Sequence, residues 1–168
     1  TGHTPRRRPP ATRGRHRGTV RVAIVTESFL PSVNGVTNSV CRVVEHLTDS
    51  GHDVTVIAPR TREHGPVAFH DAAVHRVTSL PVRQFDVGLP MPELERVLEG
   101  FAPDVVHVAS PFVLGAGGLA AARRLEIPSV SVFQTDRAAY VRQHTPGPAA
   151  TAAAPTTWQL LLLSPPCA

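Results

Sequence analysis

The chain has no lysine and only two cysteines, and both absences exclude classes of protein. All 17 basic residues are arginine, a bias that we attribute to the coding sequence rather than to function. Cys41 and Cys167 cannot build a disulfide framework or a four-cysteine zinc site. The run of four Leu at 160–163 is far shorter than the roughly 20 residues that a membrane span needs. The Arg-rich start is not followed by an apolar segment as long as the core of a signal peptide, so we expect no secretory signal and a cytoplasmic location.

Charge is unevenly distributed along the chain. Seven of the 17 Arg lie within residues 1–21, which contain no acid, whereas the remainder carries ten Arg against 13 acids. The overall charge of +4 therefore belongs to an N-terminal arm. Such an arm can touch nucleic acid or anionic lipid, but its Pro/Arg/Gly/Thr composition favours a disordered extension or a non-native leader over residues 1–20. We expect no nucleic-acid partner.

Apolar periodicity predicts strands that alternate with helices from residue 21 onward. A buried strand at 21–26, a helix at 37–50 and a strand at 53–58 form a βαβ unit. Further elements are predicted in order: short strands at 67–69 and 73–77, a loop at 81–92, a helix at 92–101, a strand at 104–109, a helix at 112–125 and a strand at 129–133. This alternation predicts an α/β fold, a Rossmann-like doubly wound parallel sheet.

Polar clusters follow three of the predicted strands, where ligands bind in such sheets. They occupy residues 27–35, 110–118 and 134–136. In the first, Asn34-Gly35 is either a plain turn or a loop that brings backbone N–H groups to an anion at a helix start. No G-x-G-x-x-G motif follows the strand, which argues against a dinucleotide cofactor.

Each remaining candidate has two interpretations. Glu27 is placed to orient a sugar hydroxyl or to cap a neighbouring backbone. Gln134, Thr135 and Asp136 suit a polyhydroxyl ligand or the start of a helix. The glycines at 115–118 either cradle a phosphate or allow close packing of helix on sheet.

Several kinds of active site find no support in the sequence. The nine His show no metal-ligand spacing, and we predict no metal site. No Ser-His-Asp or G-x-S-x-G arrangement is present, and His107 lies within a predicted buried strand. We assign no catalytic residue.

Three segments carry a resemblance to a known family. They read RVAIVTESFLPSVNGVTNSVCRVVEHLTDSGHDVTVIAP, PDVVHVASPFVLGAGGLAAARRLEIPSV and SVFQTDRAAYVRQH. They resemble retaining glycosyltransferases of family four with the GT-B fold, and within them the actinobacterial GDP-mannose-dependent α-mannosyltransferases that act on lipid or lipoglycan acceptors. The resemblance covers residues 21–147.

The resemblance implies a fold and roles for particular residues. Residues 21–147 would be the N-terminal, acceptor-side half of a GT-B fold, facing a second domain that binds the nucleotide sugar. Asn34 and Gly35 would belong to the loop that approaches the donor phosphates. Glu27 and residues 134–136 would lie on the acceptor and sugar side. A family His-Glu-Pro motif is replaced here by Ala-Ser-Pro at 109–111, so no role for a histidine carries over.

The resemblance also implies substrates and a location. The donor would be a nucleotide sugar, GDP-mannose by its branch, and the reaction would retain configuration with no metal or other cofactor. A lipid or glycan acceptor would bring the protein into peripheral contact with the inner face of the plasma membrane.

The resemblance fades after Gly147, and residues 148–168 look like a low-complexity tail, as from a shifted reading frame. We therefore expect these 168 residues alone not to turn over. The alternatives are a non-catalytic sugar- or nucleotide-binding module of flavodoxin-like type, or a defunct fragment.

Overall fold

The computed structural model describes residues 18–82, 85–88 and 92–132 of the chain. Three helices and eight strands lie within these ranges. In chain order they are β1 (Arg21–Val25), α1 (Gly35–Asp49), β2 (Asp53–Pro59), β3 (Ala68–Phe69), β4 (Ala72–Val77), β5 (Ser79–Val82), β6 (Phe85–Gly88), α2 (Pro92–Phe101), β7 (Val105–Val108), α3 (Val113–Arg124) and β8 (Ser129–Ser131).

The first βαβ unit forms as its apolar pattern predicts. Strand β1 is buried along almost its whole length, as suits a central parallel strand. Helix α1 begins at Gly35 because the Asn34 side chain caps it, accepting the Thr37 N–H at 3.0 Å. The helix buries Val40 and Val44, four residues apart. It ends before Gly51, whose φ of +79° ends helices readily.

Six strands form one sheet, in the order β3-β4-β2-β1-β7-β8. All of its neighbouring pairs are parallel except β3 with β4. From β1 the chain moves outward to β2 and β4 on one side, and later to β7 and β8 on the other. This reversal places a topological switch point between β1 and β7, the position where doubly wound sheets bind ligands.

Two apolar cores, one on each face of the sheet, hold the helices. Under α1, Ile24 and Val56 of the sheet pack with Val44. On the opposite face, Val25 and Val106 pack with residues of α2 and α3 such as Leu98. Helices α1 and α3 therefore lie on opposite faces, and their N-termini flank the switch point.

One predicted element is wrong. Residues 81–92 were expected to be a loop, yet β5 and β6 pair as an antiparallel hairpin that places Leu80 opposite Val87. Each strand has only four residues, and Pro81 interrupts the first. Pro is disfavoured in sheets except at edges, so the sequence of this segment does not predict strands. The hairpin becomes evident only from the pairing of β5 with β6.

Candidate functional site

The switch point is bounded by the loop of residues 26–34 after β1 and the loop of residues 109–112 after β7. Both loops are fixed to the sheet at their first residue. The Thr26 N–H donates to Ile57 O at 3.0 Å, and the Ala109 N–H donates to Val25 O at 2.9 Å. The first residues of the two loops are therefore held in place at the ends of adjacent strands.

A hydrogen-bond network of side chains shapes the end of the β1–α1 loop. The Asn34 side-chain amide donates to Ser28 Oγ at 2.7 Å while its oxygen caps Thr37. Thr37 Oγ1 lies 3.1 Å from Ser28 Oγ and donates to Ser32 O at 2.8 Å. Both ends of the Asn34 amide are thus used within the protein, so an incoming anion would meet backbone N–H groups here.

Gly35 is the first residue of α1 and is exposed. A Cβ built at this position would have no atom within 4 Å, so the space in front of it is open. Within the described part of the chain, the N–H groups of Gly35 and Val36 have no hydrogen-bond partner. This helix start has the free N–H groups and the positive dipole end that an anion requires.

Glu27 reaches from the β1–α1 loop to the other helix at the switch point. Its Oε1 accepts the N–H of Gly115, 88 residues away, at 3.0 Å. Helix α3 has no side-chain cap from its own N-cap residue, Phe112. The carboxylate thus acts as the missing cap and places negative charge at the positive end of the helix. Of the two interpretations of Glu27, the structure shows the backbone cap.

The glycines of α3 serve packing rather than an anion cradle. A Cβ on Gly115 would overlap the carbonyl oxygen of Ser110 and lie 2.9 Å from Val108 Cγ1. A Cβ on Gly118 would lie 3.1 Å from Val25 Cγ1. Both glycines are buried, so they let α3 sit closely on β1 and β7.

Gln134, Thr135 and Asp136 lie outside the described residues. The strand that precedes them, β8, runs parallel to β7. Its carboxyl end therefore lies at the same edge of the sheet as the ends of β1 and β7. This is the edge expected for these three residues, and their roles stay predictions.

His107 and Cys41 have structural surroundings. His107 lies in β7 between Ile24 and Val130, and burial lowers its pKa from the ordinary value, which favours the neutral ring. Cys41 packs against the core under α1, and burial, with a smaller effect from Glu45, raises the pKa of its thiol. Neither residue has the surroundings of a catalytic or nucleophilic group.

Two further features, a membrane-spanning helix and a metal-binding cluster, are absent from the described residues. None of the described helices combines the length and apolarity required to cross a membrane. In the same ranges, no three His, Cys, Asp or Glu side chains come together as metal ligands would.

Arg76 was missed by the sequence reasoning. It lies in β4, and its guanidinium donates to the carbonyl oxygens of Pro59 and Leu30. Leu30 is 46 residues away, in the β1–α1 loop. An Arg in a short, alternating strand is ordinary, so no local signal marks this contact.

Comparison with known proteins identifies the family. The model of Glycosyltransferase Family 4 matches residues 33–163. That match runs past Gly147, so the boundary of a separate tail at 148–168 stays a prediction.

Curated relatives support the same assignment. A GDP-mannose-dependent alpha-mannosyltransferase of Mycolicibacterium smegmatis is 54% identical over 140 residues, which are 80% of this chain and 37% of that protein. One of the same name from Mycobacterium tuberculosis is 55% identical over 123 residues, covering 70% of this chain and 32% of the relative. The chain thus spans about a third of the length of the relatives it matches.

A solved structure supports the fold. MurG of Acinetobacter baumannii, a GT-B glycosyltransferase, matches 73% of this chain and 39% of its own, with a TM-score of 0.51 at 18% identity. The predicted Rossmann-like, parallel-dominated sheet of a GT-B half is confirmed by this likeness and by the observed strand order. Together with the family match, these findings establish that the chain belongs to glycosyltransferase family 4.

Proposed function

We propose that this chain supplies the N-terminal, acceptor-side domain of a retaining glycosyltransferase that moves mannose from GDP-mannose to a lipid or glycan acceptor. The observation that carries the proposal is the contrast between the two helix starts at the switch point. The start of α1 is open at Gly35, whereas that of α3 already holds a carboxylate. The names of the curated relatives supply the donor, GDP-mannose, and the sugar.

The chemistry assigned to α1 is stabilisation of the leaving diphosphate. When the bond between the sugar and the diphosphate breaks, negative charge grows on the phosphate oxygens. Backbone N–H groups of Gly35 and Val36, aligned with the helix dipole, would donate to that charge. Because the Asn34 network fixes this helix start, little rearrangement is needed as the charge develops.

The acceptor side is assigned to residues near the ends of β1 and β8. Gln134, Thr135 and Asp136 would hydrogen-bond the acceptor sugar beside the end of β8. Glu27 would shape this side by holding α3 in place, since its Oε1 is already bonded to Gly115. A lipid acceptor would bring the protein to the inner face of the plasma membrane as a peripheral protein.

A chimera tests the proposal. The 140 matched residues replace the corresponding part of the M. smegmatis mannosyltransferase, and transfer of mannose from GDP-mannose to a mannosyl acceptor is measured. We expect the chimera to transfer and Gly35→Val within it to lower kcat/KM by about 100-fold, because the added side chain displaces the phosphates. The 168 residues alone should give no transfer.

Gly100→Val in the chimera is the matched control. Gly100 is also an exposed helical glycine with no atom within 4 Å of a built Cβ, but it lies in α2, away from the switch point. Equal activity of the two glycine variants would contradict the assignment of the loop. A folded chimera that never transfers, together with binding of GDP-mannose by the 168 residues alone, would favour the non-catalytic binding module.

A further inference from the structure

Arg76 joins three separate segments on the face of the sheet that α1 covers. Its Nη1 donates to Pro59 O, at the end of β2, at 3.2 Å, and its Nη2 donates to Leu30 O in the β1–α1 loop. Its Cζ lies 5.9 Å from the centre of the Phe29 ring, within the range of a cation–π contact. Phe29 itself is 1% exposed, so the guanidinium contacts a ring that is held in place by the core.

The loop between β2 and β3 also comes close to the guanidinium, at Gly65. A Cβ on Gly65 would overlap Nη2 of Arg76 and lie 3.0 Å from its Cζ and 2.7 Å from Leu30 O. The lack of a side chain at Gly65 is therefore what lets the backbone lie against Arg76. Phe29 and Gly65 both lie close to the planar group, and two carbonyl oxygens accept its hydrogen bonds.

No carboxylate among the described residues forms an ion pair with Arg76. Within the described ranges its hydrogen bonds go to the two backbone carbonyls, and burial alone lowers its pKa. An Arg stays protonated under such conditions. Its planar guanidinium presents donors to two carbonyls in a fixed geometry while it lies near a ring, and the compact ammonium of a Lys on its flexible stem does not reproduce that geometry.

We infer that Arg76 is a positioning residue that holds the β1–α1 loop in the shape that presents the Gly35 N–H group to a phosphate. The inference rests on the proposed function, because it assigns Arg76 to the same anion site. The hydrogen bond from Arg76 to the Leu30 carbonyl oxygen is the contact that would hold the loop. This carbonyl lies midway along the loop, between the fixed end at Thr26 and the network at Asn34. Among the described residues, two hydrogen bonds would remain at 29–32 without this anchor: the Ser32 N–H donates to Phe29 O, and Thr37 Oγ1 donates to Ser32 O. Neither of them holds Leu30 itself.

The test compares Arg76→Lys and Arg76→Met with Val74→Ala in the full 168-residue chain. Val74 lies on the same strand and face and is 7% exposed, so Val74→Ala weakens the same core without removing a hydrogen bond to the loop. Amide NMR resonances of Gly35 and Val36 are recorded without ligand and during titration with inorganic pyrophosphate. All measurements are made well below the melting temperature of every variant.

Both Arg76 variants should move the Gly35 and Val36 resonances without ligand and weaken pyrophosphate binding about tenfold. Val74→Ala should lower the melting temperature yet leave resonances and affinity unchanged. Retention of wild-type resonances and affinity by Arg76→Lys would show that charge alone suffices and overturn the positioning role. So would unmoved resonances in Arg76→Met. If the wild-type chain does not bind pyrophosphate, the proposed function is overturned instead. The titration alone measures this binding, whereas the ligand-free spectra alone measure the position of the loop.

Discussion

Gly115→Ala should lower the free energy of unfolding by about 3 kcal/mol, the upper range for forcing an extra group into a packed interior. The new Cβ would overlap Ser110 O, a backbone atom that cannot turn aside, and press on Val108 Cγ1. Relief requires α3 to move away from the sheet, which would also lengthen the bond between Gly115 and Glu27. Urea denaturation followed by circular dichroism measures the change.

Gly35→Ala is the control for this substitution. It adds the same methyl group where a built Cβ meets nothing within 4 Å, so stability should change by less than about 0.5 kcal/mol. A Gly115→Ala protein as stable as Gly35→Ala would show that the glycines of α3 are not there for packing, and would reopen the anion-cradle interpretation.

Glu27→Ala should cost about 2 kcal/mol, because it leaves the Gly115 N–H without its acceptor at a partly buried helix start. Glu27→Gln keeps an oxygen acceptor and loses the charge, so its cost should be smaller, about 1 kcal/mol. Added phosphate should raise the melting temperature of the Ala variant more than that of the wild type, since an anion can take the vacated place.

Glu45→Ala is the comparison for Glu27. Glu45 lies on the surface beside His70, with an Oε1–Nε2 distance of 3.6 Å and 43% of its side chain exposed. Its removal should change stability by less than about 0.5 kcal/mol. Equal stabilities of the Glu27→Ala and Glu45→Ala proteins would contradict the capping role of Glu27.

The sheet and its helices are well predicted from the sequence, because the residue patterns that define them are local. The apolar run before Thr26 and the spacing of Val40 and Val44 predict β1 and α1 without knowledge of their neighbours. The start of α1 differs by two residues because Asn34, rather than a later residue, provides the cap. The β5–β6 hairpin is not predicted because neither short strand has a clear local pattern. Each is recognised as a strand only by its pairing with the other.

The candidate site is predicted only in part, for the same physical reason. Asn34 and Gly35 are recognisable because strand, loop and helix follow each other directly. The partners of Glu27 and Arg76 are 88 and 46 residues away and are set by how the sheet folds. Glycines at 115–118 fit two roles until the distances to Ser110 and Val25 are known.

Titration of the isotope-labelled chain with GDP-mannose, followed by amide NMR, tests the central claim most directly. Because these 168 residues span about a third of the length of the GDP-mannose-dependent relatives, we expect weak affinity, with Kd on the order of 1 mM or above. We expect the Gly35 and Val36 resonances to move together and saturate, while that of Gly115, whose N–H already donates to Glu27, stays in place. Saturable shifts at Gly115 with none at Gly35 would contradict it.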